Sequence, residues 1–408
     1  MQIKELTNEE FKKFTNKFNV KSIYQTVEYG FVMNHENYDT IFLGLADKND
    51  IIAASLILIQ KRDKFKYAYA PKGFLIDYND TELLKIFTVQ IKKYLGKLGV
   101  IAIKLCPPII KTKYSNKNEI SYKNENYTKI FNSLTKLGYR HLGYNNYFEA
   151  LKPRYEAILD LNLPYYTLFK NIKKTVRTKI RNAENIGIRI YKGDINNLDY
   201  LYIQTKNKYP RELEYFKNCY KYFSKENNIE FYFAKLDTVK FLKLCNRNFA
   251  SQEEKCNKLN NELKNNKNLL KEKMENDILL DRYKSNLIYA TRLLSKYPEG
   301  IVVSSALIVK NGKEINLLMD GYDTKFKRLN AKHLLIWKLI QKYSELNYEK
   351  FNFGGIVNPN IKDNKYLGLN EFKLNFNSNI YEYIGDFELV TNKILYFIYK
   401  SQSKFKKK

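Results

Sequence analysis

Between Val239 and Tyr297 the chain contains neither proline nor glycine. Within that stretch Leu242, Cys245, Phe249, Gln252, Cys256, Leu259 and Leu263 alternate three and four apart, the spacing of a heptad seam. A polar break from Lys264 to Asn268 interrupts the seam, and Leu280, Leu287 and Leu294 resume it at sevens. The pattern predicts an antiparallel helical hairpin over 238–297, with arms of about 25 residues, each roughly 40 Å long. The hairpin has little apolar surface beyond its own seam, so it should project from the rest of the molecule.

The 408 residues leave room for two or three domains around such an arm, and a hydrophobic share of 44% supports packed cores. Upstream, Ile3 to Phe18 and Thr81 to Leu98 have helical periodicity, while Thr40 to Ala46, Ile51 to Gln60 and Val100 to Leu105 read as strands. Lys111 to Lys129 is polar and reads as weakly ordered. Glu156 to Leu161 reads as a strand, followed by one helix from Tyr165 to Ile186 that ends at Gly187. After the arm, strands Ile301 to Lys310 and Glu314 to Asp320 flank the Asn311-Gly312 turn, and Ala331 to Leu346 reads as a helix. Strands interleaved with helices in this way give an α+β class, with the arm inserted in the second globular unit.

Composition excludes several kinds of chemistry. Cys106, Cys219, Cys245 and Cys256 lie far apart with no CxxC pair, and His35, His141 and His333 are equally scattered. No zinc site, disulfide framework or Cys-His nucleophile pattern is therefore expected. The N-terminus has no apolar stretch of signal-peptide kind, so a cytosolic location is expected. The 71 basic against 43 acidic residues, a net +28, draw polyanions, either nucleic acid or anionic lipid.

Two places carry candidate chemistry. The first is FNFGGIVNPNIKDNKYLGLNEFKLNF, where a short apolar strand stops at Gly354-Gly355 and a later segment carries Phe372-Lys373. Paired glycines either let the backbone approach a ligand or simply end a strand. Lys373 is either a solvated surface lysine or a cation placed where charge develops on a reacting carbonyl. The second is a stripe of Lys170, Lys174, Arg177 and Arg181 at helical spacing, either a solvated face or a phosphate-contacting rail.

Four blocks together, YAYAPKGFLID (67–77), PRYEAILDL (153–161), KKTVRTKIRNAENIGIRI (173–190) and FNFGGI…YLGLNEFKLNF (351–376), resemble the Fem aminoacyltransferases that build peptidoglycan interpeptide bridges. The likeness spans nearly the whole chain. It implies two tandem GNAT-like (acyl-CoA N-acyltransferase) domains, 1–160 and 161–356, with 357–408 packing back onto the first and the coiled-coil arm at 238–297. It also implies transfer of glycine, alanine or serine from aminoacyl-tRNA, with no further cofactor. The acceptor would be the stem-peptide amine of a lipid II or UDP-linked muropeptide. Work at the inner membrane face and association with related transferases belong to the same expectation. On the family pattern Lys373, with Phe372 beside it, stabilises the oxyanion, and Arg211 and Tyr215 contact the precursor. Two positions depart from the pattern. Cys106 stands where many members place an acidic residue, removing a carboxylate base there. Met33 stands where a lysine often binds the nucleotide-linked precursor, which favours a lipid-linked acceptor. The chain also lacks the R/Q-x-x-G-x-G/A turn of acetyl-CoA users. The competing readings are an acyl-CoA-dependent N-acyltransferase and a non-catalytic RNA- or partner-binding protein.

Overall fold

The computed structural model describes residues 1–408 except 49, 150–151, 208–210, 265, 362–364 and 406–408, with backbone alone at 403–405. The chain opens with β1 (Gln2–Glu5), α1 (Asn8–Lys17), α2 (Val27–Asn34), β2 (Asp39–Asp47), β3 (Asp50–Arg62) and β4 (Phe65–Ala70). Next come α3 (Thr81–Lys97), β5 (Val100–Leu105), β6 (Ile110–Tyr114), β7 (Ile120–Lys123), α4 (Tyr127–Lys136) and β8 (Tyr139–His141). The middle of the chain holds β9 (Tyr155–Asp160), α5 (Tyr165–Asn171), α6 (Lys174–Asn185), β10 (Ile188–Gly193), α7 (Leu198–Thr205), α8 (Leu213–Phe223) and β11 (Ile229–Leu236). The arm is α9 (Thr238–Leu263) and α10 (Leu270–Lys296). Then follow β12 (Ile301–Asn311), β13 (Glu314–Tyr322), α11 (Ala331–Glu345), β14 (Lys350–Ile356), α12 (Leu367–Leu374), β15 (Asn379–Tyr383), β16 (Phe387–Val390) and α13 (Lys393–Phe405).

Among the described residues the strands form a seven-stranded sheet, β1-β2-β3-β4-β5-β16-β8, and a nine-stranded sheet, β10-β11-β12-β13-β14-β9-β15-β6-β7. Both are built the same way. An antiparallel run ends in one parallel step, β4 to β5 in the first sheet and β13 to β14 in the second. A parallel step needs a crossover, and α3 and α11 supply it. Each crossover helix buries one apolar face on its sheet: Leu84, Phe87, Ile91 and Leu95 from α3, and Leu335, Leu339 and Ile340 from α11. A third cluster joins the units, with Phe42 and Leu56 of the first sheet packed with Phe216 of α8 and with Phe231 and Leu307 of the second sheet.

Sheet membership departs from the expected boundaries. β9 lies before residue 160 yet pairs with β14 and β15, and β6–β7 also extend the second sheet. The segment after 357 divides: β15 completes the second sheet and β16 the first. Three local readings are also corrected. Residues 2–5 form a strand against β2, because the Thr7–Glu10 capping box starts the helix only at Asn8. The polar stretch 111–129 contains the β6–β7 hairpin and the start of α4, because β6 finds its partner in β15. The single helix from Tyr165 breaks at Ile172, whose ψ is 141°.

The arm is the antiparallel hairpin that its heptads describe. Phe241 packs on Tyr289, and Gln252 bonds the Asn276 side chain at 2.9 Å. Cys245, Gln252, Cys256 and Leu259 are buried along α9, whereas Leu280, Leu287 and Leu294 are only half-buried. The arm carries more apolar surface than its seam requires, since Leu270, Met274 and Ile278 are exposed one turn apart.

Candidate active site

The glycine pair has a specific structural task. The pairing of β14 with β9 slips between Asn352 and Gly355, and Gly354 sits in the slip with φ +74°. This is a β-bulge, and a side chain at that φ would be strained. A Cβ at Gly355 would lie 2.6 Å from the Pro153 ring. The bulge aims the Gly355 carbonyl at α12, where it accepts from Lys373 Nζ at 2.6 Å. Gly354→Ala is expected to lower stability by about 1–2 kcal/mol and to move that carbonyl off Lys373. Thermal melting and turnover measured together check both parts.

Lys373 is buried in the protein yet lines a cavity of about 830 Å³. Glu156, Glu314, Asn352 and Lys72 line the same space. Asn352 organises them. Its Oδ1 accepts from the Gly354 N–H at 2.8 Å, and its Nδ2 donates to Glu156 at 3.2 Å and to Glu314 at 3.1 Å. Lys72 pairs with Glu156 at 2.8 Å, and the Tyr383 hydroxyl donates to Glu156 at 3.0 Å.

These surroundings separate the two carboxyls. Burial pushes Glu156 up, but the Lys72 ammonium and the hydrogen bonds from Lys72, Asn352 and Tyr383 outweigh it and hold Glu156 below the usual carboxylate range. Burial dominates at Glu314 and raises it, with the Glu156 charge adding to the rise. Two neighbouring carboxyls driven apart in this way suit one to stay charged and the other to exchange a proton.

Phe372, adjacent to Lys373, lines a different cavity, of about 1460 Å³, and Leu369 lines both. The Phe372 ring meets His333 at 5.2 Å between centroids, and Lys332 Nζ lies 4.1 Å from its centroid. Lys332 in turn pairs with Asp320, which lines the first cavity, at 2.6 Å. The wall of the second cavity includes Lys179, Lys206, Lys235, Lys325 and Lys327. Glu299, Asp323 and Glu371 stand in that wall as well, so the two spaces that α12 divides differ less in net charge than in the buried Glu156–Glu314 cluster, which only the first holds.

The other sequence candidates fall elsewhere. Arg211 pairs with Glu36 at 2.8 Å and lies 4.7 Å from the Tyr215 ring centroid, and neither Arg211 nor Tyr215 lines either cavity. The basic stripe is divided by the break at Ile172, with Lys170 on α5 and Lys174, Arg177 and Arg181 on α6. None of these four lines the second cavity; Lys179, on another face of α6, does. Cys106 is buried, and burial, with Asp386 nearby, pushes its thiol up to about 12, so it is no nucleophile at neutral pH. Sequence reasoning missed Lys72, Glu156, Glu314 and Asn352, although all but Glu314 stand inside the blocks that carry the resemblance. Among the described residues no group of three His, Cys, Asp or Glu side chains is placed to hold a metal ion.

Two sheets of matching construction, each crossed by one helix and sharing a core, with a helical arm inserted in the second, define a tandem α+β fold. The chain belongs to the FemAB family, whose model matches residues 6–404. It is 24% identical to the aminoacyltransferase FemA of Staphylococcus epidermidis over the full length of both chains. It is 23% identical to the aminoacyltransferase FemA of Staphylococcus aureus, covering all of this chain and 99% of that one. The crystal structure of FemX superposes with a TM-score of 0.75 at 20% identity, over 98% of this chain and 99% of the other.

Proposed function

We propose that this protein transfers an amino acid from aminoacyl-tRNA to the stem-peptide amine of a lipid-linked peptidoglycan precursor. The observation that carries the reading is α12, which puts Lys373 in one cavity and Phe372 in the other. The lysines around the cavity beside Phe372 suit the phosphates at the acceptor end of a tRNA, and the buried Glu156–Glu314 cluster beside Lys373 suits a peptide amine. FemAB membership and the full-length likeness to proteins named aminoacyltransferase FemA support the same class of reaction.

The chemistry follows from the groups at the dividing wall. The acceptor nitrogen attacks the ester carbonyl, forming the C–N bond and moving the carbonyl π pair onto oxygen. Lys373, fixed on the Gly355 carbonyl, stabilises that oxyanion. Glu314 takes the proton that the nitrogen loses. Collapse of the intermediate breaks the bond to the tRNA ribose oxygen, which recovers a proton from Glu314 and leaves as a hydroxyl.

Glu314 can accept a proton only when ionised, and its carboxyl titrates above the usual value. The acidic limb of kcat/KM should therefore lie at higher pH than an ordinary carboxylate gives, with activity falling as pH drops through it. In Glu314→Gln that limb should vanish together with most of the rate, whereas an unchanged pH profile would exclude Glu314 as the proton acceptor.

The donor is tested by supplying the precursor with a radiolabelled acyl group on tRNA or on coenzyme A. Label should reach the precursor from tRNA alone, and prior RNase treatment should abolish it. Transfer from the coenzyme A thioester at a comparable rate would overturn the reading. The sequence at the start of α11, Arg328-Leu-Asn-Ala-Lys-His333, has no glycine to bring its backbone against a pyrophosphate.

A further inference from the structure

The last helix has two unlike faces. On one, Tyr396 donates its hydroxyl proton to Glu388 and accepts from Arg140 at 2.9 Å, and the Tyr399 ring meets Phe65 edge-on at 5.5 Å. These tyrosines pack with Phe65, Ile101 and Ala102 and seat α13 on the first sheet. On the other face, Ile394 and Phe397 are 75% and 72% exposed, with Leu395 and Ile398 also open to solvent. Ile394, Phe397 and Ile398 follow the i, i+3, i+4 spacing of one helical stripe.

Lysines accompany the helix. Lys393 is exposed at the start of α13, and Lys64, whose Nζ lies 5.6 Å from the centroid of the Phe65 ring, stands beside the seat of the helix. The sequence then runs Lys404-Phe405-Lys406-Lys407-Lys408.

We propose that α13 docks the protein on an anionic lipid surface, with Ile394, Phe397 and Ile398 entering the boundary between headgroups and acyl chains and the lysines meeting lipid phosphates. A helix anchored by one face, presenting a short apolar stripe on the other and accompanied by lysines has the chemistry of an interfacial anchor. Charge selects this occupant over a second copy of the chain. Joining two copies through α13 would bring together molecules that each carry a net charge of +28. The assignment is independent of the donor and of the two cavities.

The test is co-sedimentation of the full chain with phosphatidylcholine vesicles containing about a quarter phosphatidylglycerol, the anionic component that juxtamembrane lysines respond to. The wild type should bind these vesicles, bind pure phosphatidylcholine far less, and release as salt rises. The double variant Ile394→Glu/Phe397→Glu should weaken binding by at least about tenfold while keeping its thermal transition and its transfer rate with a water-soluble acceptor. A second variant, with Lys404, Lys406, Lys407 and Lys408 changed to Gln, should reduce binding to the anionic vesicles only. Three results would overturn the proposal: vesicle binding unchanged in the double variant, binding lost instead in Ile278→Glu at the arm, or a wild-type dimer in solution that the double variant dissociates.

Discussion

Lys373→Met is expected to slow transfer by about a hundred- to a thousand-fold, the usual cost of removing one preorganised oxyanion donor. Precursor binding should change far less, because the charge that Lys373 stabilises develops only after attack. The side chain also carries a structural hydrogen bond to Gly355. Its loss leaves that carbonyl without this donor, at a cost of about 1–3 kcal/mol, so rates must be compared well below the thermal transition of the variant. Lys373→Arg keeps a cation while changing its shape and reach. It should therefore recover stability more fully than rate. Near-normal turnover in the methionine variant would remove Lys373 from the chemistry.

Arg154→Ala should be the most destabilising single change outside the hydrophobic clusters, by about 3–5 kcal/mol for a broken buried ion pair. The Arg154 guanidinium pairs with Glu382, and both side chains are almost fully buried. Lys111 at 3.2 Å and the Tyr114 hydroxyl at 3.0 Å also reach Glu382, so the loss should fall toward the lower end of that range. The pair draws the approach to β9 against β15, immediately before the chain returns to the first sheet through β16. Denaturant unfolding measures the effect. A change below about 1 kcal/mol, typical of exposed pairs, would mean that the guanidinium is not held as the structure shows.

The elements that the sequence made legible are those whose signal is local. The arm declares itself through seven-residue spacing, and α3 and α11 through apolar periodicity bounded by Gly99 and by the Asn311-Gly312 hairpin before it. What stayed hidden depends on partners far along the chain. The β6–β7 stretch is too polar to read as strand until β15 arrives beside it. The break at Ile172 goes with a bond from the Lys173 N–H to the Asn375 carbonyl, outside any local window.

The site divides in the same way. Lys373 and Phe372 became visible through the ordered blocks, and their placement in separate cavities is a property of α12 that no spacing shows. Gly354 and Gly355 were equally readable as a strand end or a close approach, but β14 runs on through them to Ile356, with the bulge at Gly354. Glu314 looks like any glutamate after a turn. Its candidate role appears only when Asn352 holds it beside Glu156 in a buried cleft. Arg211 and Tyr215 do meet each other, but at the contact with Glu36 and outside both cavities.

The central claim is that the wall formed by α12 joins an aminoacyl donor to a precursor amine. It is tested most directly by incubating the full chain with lipid-linked precursor and individually charged tRNAs, then weighing the precursor by mass spectrometry. The account predicts a gain of one amino-acid residue on the stem-peptide amine with at least one charged tRNA, and its near absence with Lys373→Met. No mass gain with any charged tRNA, under conditions where the precursor binds, would contradict it.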